Sequence, residues 1–140
     1  MTQDKERVIK FRAWNKDKKV MVYEGDFIIG LGGDIKGYSD DDGGKSGLWE
    51  HTYKVNVILM QFTGLLDKDG KEIYEGDILA SMNNDFKPPY KFEWVVIYER
   101  GAFIADRADK QGETWMAYWT EKEFEVIGNI YSNPELLKEV

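Results

Sequence analysis

The segment Phe62-Thr63-Gly64-Leu65-Leu66-Asp67-Lys68-Asp69-Gly70-Lys71-Glu72-Ile73-Tyr74-Glu75-Gly76-Asp77-Ile78-Leu79 constrains the fold more than any other. Two chain reversals fall inside it. Asp67 to Gly70 reads as a tight turn, with Gly70 suited to a positive φ that a Cβ penalises. Glu75-Gly76-Asp77 reads as a second turn, and Ile78-Leu79-Ala80 leaves it as a strand. Reversals this close together favour short paired strands over helix.

The rest of the chain repeats the pattern. Val8 to Trp14 alternates, with Ile9, Phe11 and Ala13 on one side and Lys10, Arg12 and Trp14 on the other. The polar turn Asn15 to Lys19 leads into Val20 to Tyr23, giving a hairpin. Phe27-Ile28-Ile29 is a short apolar run. Gly30 to Gly47, with Asp40-Asp41-Asp42-Gly43-Gly44 at its centre, reads as a mobile surface loop. Tyr53 to Phe62 has β character, with Val55, Val57 and Leu59 set to face a core. Pro88-Pro89 makes Asn83 to Tyr90 a loop. Strands are predicted over Lys91 to Arg100, Ala102 to Ala105, Trp115 to Trp119 and Phe124 to Tyr131. Trp94, Trp115 and Trp119 lie in apolar runs and are assigned to the core. Ser132 to Leu137 predicts a short helix with Asn133 as N-cap and Pro134 at its first position. Strands at this spacing, with little helix, predict a mainly β fold (α+β overall) built on a small barrel or curled sheet.

Apolar residues supply 42% of the 140 positions, enough for a core, so wholesale disorder is not expected. The chain has no cysteine, which excludes disulfides and thiolate metal sites and suits a reducing compartment. Met1 to Arg7 lacks the apolar stretch of a signal peptide, and no run approaches a membrane span. A soluble cytoplasmic protein without membrane contact is the expectation. Net charge is −7, which opposes non-specific binding to nucleic acid. The charge is uneven: Met1 to Val20 carries +4, so the remainder carries −11. Lys10, Arg12 and Trp14 are therefore the candidate binding residues. They form either a basic, stacking face for nucleic acid or, as the preferred reading, a lysine-protected strand edge with Trp14 packed against a second layer or another subunit.

Tyr23-Glu24-Gly25-Asp26-Phe27 echoes Tyr74-Glu75-Gly76-Asp77-Ile78. The echo is assigned to turn formation rather than to chemistry by Glu24, Asp26, Glu75 and Asp77. Gly64, Asp67, Gly70, Gly76, Asp77 and Gly128 are accordingly structural turn positions.

Three segments resemble the YopX family of phage and prophage proteins: Lys10 to Asn15, Met60 to Ile78, and Val126-Ile127-Gly128-Asn129-Ile130-Tyr131-Ser132-Asn133-Pro134-Glu135-Leu136-Leu137. Together they span nearly the whole chain, and the middle one is the most specific. The resemblance implies a single YopX-like domain over 1–140. Residues 1–58 would form an N-terminal α+β part linked to self-association, and 59–140 an SH3-like barrel with a short C-terminal helix. It also implies a phage or prophage gene expressed in a bacterial cytoplasm. It implies no reaction, so no catalytic residues carry over.

The chemistry that the residues offer is thin. Asp67-Lys68-Asp69-Gly70 imitates part of a calcium loop, but with Gly70 at the loop glycine, Leu65 stands where the first Asp belongs and Gly76 where the bidentate Glu belongs. His51 is the only histidine, and no motif frames it for zinc or for a Ser-His-Asp group. Gly30-Leu31-Gly32-Gly33 lacks the Lys-Ser/Thr of a phosphate loop. With 26 Asp and Glu, a close carboxylate pair carries little information. No metal, no cofactor and no enzymatic activity are expected. The expected function is a self-associating, non-enzymatic accessory protein that binds a host or phage protein. The alternative is a nucleic-acid-associated factor in phage replication or regulation.

Overall fold

The computed structural model describes residues 6–23, 27–29, 31–32, 35–38, 52–54, 56–118 and 123–137. Its elements are β-strands and two short 3-10 turns, Met116–Tyr118 and Pro134–Leu137, so the protein is mainly β. The chain divides into two compact units, Phe11–Leu59 and Met1–Lys10 with Met60–Val140.

In the first unit, β1 (Phe11–Asn15) and β2 (Val20–Val22) form an antiparallel hairpin with Trp14 opposite Met21. Asn15 builds its turn: Oδ1 accepts the amides of Asp17 and Lys18, each at 3.0 Å, and its carbonyl accepts that of Lys19. The strand starts three residues later than the alternation predicts, and Val8 and Ile9 are exposed. β3 (Phe27–Ile29), β4 (Ile35–Tyr38) and β5 (Thr52–Lys54) form a three-stranded antiparallel sheet. β4 lies inside the stretch predicted to be loop. Its residues, Ile35-Lys36-Gly37-Tyr38, carry too short an apolar alternation to stand out from the Gly- and Asp-rich sequence around them. Glu24 to Asp26, Asp40 to Asp42, His51 and Val55 lie outside the described residues.

The second unit takes up β6 (Val57–Leu66) from Met60 onward, then β7 (Glu72–Tyr74), β8 (Asp77–Asn83), β9 (Tyr90–Glu99), β10 (Ala102–Arg107), β11 (Glu113–Trp115) and β12 (Phe124–Asn129). β8 to β11 form an antiparallel meander, and β12 returns to the outer side of β8, giving the order β11-β10-β9-β8-β12. Ile73, Leu79, Val96, Ala105, Met116 and Val126 make the core, with Leu65, Trp94 and Phe103 packed on it. Met60 and Phe62, not Val57 and Leu59, are the buried side chains of β6. The predicted strand over Trp115 to Trp119 stops at Trp115, because the chain turns into 3-10 geometry to bury Met116. Trp115 is 53% exposed rather than core, and Trp119 lies outside the described residues.

Both predicted reversals are present. Asp67 is buried; Oδ1 accepts the amides of Asp69 and Lys71, and Oδ2 accepts that of Val126 on β12 at 2.9 Å. One carboxylate thus closes the turn and ties it to a strand 59 positions away. In the second reversal Asp77 Oδ2 accepts the Tyr74 amide, and Gly76 adopts φ +83°. The Gly76 amide donates to Val96, and its carbonyl accepts from Ile130. Gly76→Ala forces a side chain into the left-handed region and sets its Cβ 3.1 Å from Met60 Sδ. The expected loss is about 1–2 kcal/mol, read as a lower urea midpoint with an unchanged slope.

Candidate functional site

The three residues singled out by the sequence do not share an open face. Lys10 Nζ is 2.8 Å from Glu72 Oε2 and lies 5.7 Å from the Phe62 ring centroid. Arg12 and Trp14 are 3% and 8% exposed, so neither is presented to solvent. The burial of Ala13 between them shows why: β1 is covered on both faces, and alternation cannot separate inside from outside in such a strand. Of the turn residues, Gly64 (φ +85°) sits in the register shift between β6 and β7, and Gly70 (φ +83°) closes the Asp67 turn. Asp67, Gly76 and Asp77 hold the reversals described above. Gly128 lies at the register shift between β12 and β8. Asn133 does not cap the last turn through its side chain: its Oδ1 instead accepts the Asn129 amide at 3.2 Å, and its carbonyl accepts the Leu136 amide.

A more open arrangement lies where the core face of the five-stranded sheet runs toward solvent. Along β9 the same face passes from buried Val96 through half-buried Trp94 and Phe92 to Tyr90, which is 57% exposed. On β8 it passes from Leu79 to Ser81 and Asn83, paired with Trp94, Phe92 and Tyr90 respectively. On β10 it passes from Ala105 to Arg107, which stands opposite Trp94. Phe124 enters from β12 opposite Ser81. The result is a row of rings: Phe86 to Tyr90 at 6.1 Å, Tyr90 to Phe92 at 4.9 Å, Phe92 to Trp94 at 6.5 Å and Trp94 edge-on to Phe124 at 6.3 Å. Trp94 Nε1 donates to Ser81 Oγ at 2.9 Å, which fixes the indole and satisfies its polar edge.

Arg107 completes the site. Its guanidinium carbon lies 4.5 Å from the Phe92 ring centroid, and Nη2 is paired with Asp109. Nε is buried with no hydrogen-bond partner, so stacking and the Asp109 pair hold the group in place. The Gln111 amide, with help from Arg107, holds the Asp109 carboxyl below its ordinary range against some desolvation. Two adjoining clefts of about 360 and 490 Å³ share Phe92 and Arg107 as lining. Their charged residues are Lys91 and Arg107 against Asp85, Glu93, Asp109 and Glu123. Glu93 lies 3.9 Å from Lys91 Nζ. A half-open aromatic floor with a stacked cation and an acidic rim is suited to holding side chains in place. Among the described residues no group of three or more His, Cys, Asp or Glu is placed to hold a metal ion, and no helix is long and apolar enough to cross a membrane.

The sequence reading did not single out this groove. Tyr90-Lys91-Phe92-Glu93-Trp94 does carry a signal, because rings alternating with charges place three rings on one side of a strand. Arg107 carries none, since only the β9–β10 register brings it over Phe92.

A family model described as YopX protein matches residues 10–138. The chain is similar in structure to protein yopX from Bacillus subtilis, with 27% identity over 94% of this chain and 97% of that one, at a TM-score of 0.62. It is also similar in fold to protein EF1440 from Enterococcus faecalis, with 23% identity over 95% of this chain and all of that one, at a TM-score of 0.57. No curated protein matches in sequence.

Proposed function

Because the chain belongs to the YopX family, we propose that it is a non-enzymatic accessory protein of phage or prophage origin that acts in the host cytoplasm by binding a protein partner and associating with copies of itself. The observation that carries this reading is the aromatic groove. Tyr, Trp, Phe and Arg are the side chains that anchor protein contacts, and here they are aligned, half-exposed and fixed by neighbours before any partner arrives. Two of the groove's four carboxylates, Glu93 and Asp109, already face cations, which suits a binding surface better than acid–base work. The acidic rim opposes a polyanion, and the basic face on which a nucleic-acid role was expected to rest is not assembled, since Arg12 and Trp14 are buried.

The test is affinity capture of a tagged chain beside its Phe86→Ala/Tyr90→Ala variant. Both rings are more than half exposed, so the variant is expected to melt close to the parent. Partner recovery is expected to fall at least tenfold. Equal recovery by the two proteins rejects the groove as the binding surface. Light scattering at micromolar concentration addresses self-association, and a strictly monomeric species rejects that part.

A further inference from the structure

The groove runs along a stretch of β9 that, among the described residues, lacks a neighbour on one side. The Ala108 amide donates to the Glu93 carbonyl at 2.9 Å, so Glu93 directs its main-chain groups toward β10. Alternation in an antiparallel ladder gives Lys91 the same direction, while Tyr90 and Phe92 turn theirs toward β8. β10, however, ends its pairing at Arg107 opposite Trp94. The chain then reverses, with the Lys110 amide on the Arg107 carbonyl and the Arg107 amide on the Gly112 carbonyl. Among the described residues nothing continues the line of β10 beside Lys91, and the cleft lined by Tyr90, Lys91, Phe92, Glu93, Arg107, Ala108 and Asp109 occupies that place. Pro88 and Pro89 have no N–H, so the open edge ends just before Tyr90.

We propose, building on the groove reading above, that the partner binds by strand addition: an extended peptide segment in which basic residues alternate with large apolar ones pairs with β9 at Lys91, in line with β10. The main chain of Lys91 supplies the ladder contact, and the Tyr90 and Phe92 rings receive the apolar side chains. The lining of the two clefts carries four carboxylates against two cations, and this net negative field favours a basic segment over an acidic one. A nucleic acid would stack on the rings without using the Lys91 main chain, and its phosphates would meet the acidic rim.

The experiment titrates the ¹⁵N-labelled full chain with a blocked pentapeptide, acetyl-Leu-Arg-Leu-Arg-Leu-amide, and follows amide shifts. Saturable shifts at Lys91, Phe92, Glu93 and Ala108 are expected. Two alternately N-methylated peptides then separate the mechanisms. The one methylated on the ladder side is expected to bind at least tenfold more weakly, and the other like the parent. Lys91→Pro removes the edge N–H without touching the β8 ladder, and is expected to abolish the shifts. If both methylated peptides bind like the parent, strand addition is overturned while the groove reading stands. Replacing both arginines by glutamine is expected to weaken binding several-fold, and equal affinity overturns the charge preference. If no peptide perturbs the groove, the groove reading falls too. If an oligothymidylate perturbs it instead, the nucleic-acid alternative replaces both.

Discussion

Replacing Asp67 by alanine is expected to cost about 3 kcal/mol, among the largest losses from any polar substitution in the chain. The side chain accepts three backbone amides, from Asp69, Lys71 and Val126, at 2.9, 2.8 and 2.9 Å. It is 4% exposed, so water replaces it poorly. Removing it also releases β12 from the turn, to which the Lys68 amide and Phe124 carbonyl remain as one local backbone tie. Asp67→Asn keeps one acceptor but points an NH₂ at an amide, so it is expected to lose most of the same energy. The Asp67→Asn variant, which cannot ionise, also reports on pH. Burial, the largest single influence, pushes this carboxyl up, but the amides of Val126, Lys71 and Asp69, with the Lys71 charge, outweigh it and hold the carboxyl below its ordinary value. An Asp in the unfolded chain titrates near ~3.9. A carboxyl whose folded value is lower stabilises fully above that point, and the stabilisation drains away as pH falls through the folded value. The gap in stability between the parent and Asp67→Asn is therefore expected to be constant from pH 7 to about pH 5 and to shrink below about pH 4. Urea unfolding at a series of pH values measures it. A gap that does not narrow in acid would show that Asp67 is not held as a charged acceptor.

The sequence made such turns legible because their chemistry is local. Asp67, Gly70, Gly76 and Asp77 each satisfy a requirement set within four residues, and a turn-forming residue looks the same wherever it occurs. The β12 end of the Asp67 device was not legible, since nothing near Val126 announces a carboxylate arriving from 59 positions away. Alternation separates inside from outside only where one strand face is dry and the other wet. It failed on β1, where Arg12, Ala13 and Trp14 are buried in succession. A polar side chain on a strand covered on both sides reads as solvent-facing, which turned a buried arginine into a candidate contact. Asn133 stands where an N-cap is predicted, directly before Pro134 with its carbonyl accepting the Leu136 amide. Its side chain does not cap: Oδ1 turns back to the Asn129 amide at the end of β12, a contact that the local sequence does not announce. The groove is a product of register: Arg107 over Phe92 and Phe124 against Trp94 join residues from three strands. Composition supplied the rings but not their alignment.

That Asn129–Asn133 contact leads to the other large expected effect. Gly128 is required for space: a Cβ built there lies 2.6 Å from Asn133 Oδ1, 2.9 Å from its Cγ and 3.0 Å from its Cβ. Its backbone conformation is one that other residues adopt, so the constraint is the neighbour and not φ. Asn133 cannot simply swing away. Its Oδ1 satisfies the Asn129 amide, its own amide donates to the Asn129 carbonyl at 2.9 Å, and its carbonyl accepts the Leu136 amide that begins the last 3-10 turn. Asn129 in turn accepts the amides of Tyr131 and Ser132 through its own Oδ1. Adding one methyl group at position 128 therefore displaces a whole reversal, the one that also carries the Ile130 amide to the Gly76 carbonyl. Gly128→Ala is expected to cost about 2–3 kcal/mol, within the range for overpacking. Asn133→Gly alone is expected to cost about 1 kcal/mol, for one hydrogen bond and a freer backbone. The double variant Gly128→Ala/Asn133→Gly separates crowding from conformation. With the neighbour's side chain gone, the new methyl group has room, and the pair is expected to be more stable than Gly128→Ala alone. The two single losses then sum to more than the double variant shows, by about 1–2 kcal/mol of coupling. Strict additivity in urea unfolding would mean that Gly128 is needed for its backbone and not for the space that Asn133 fills.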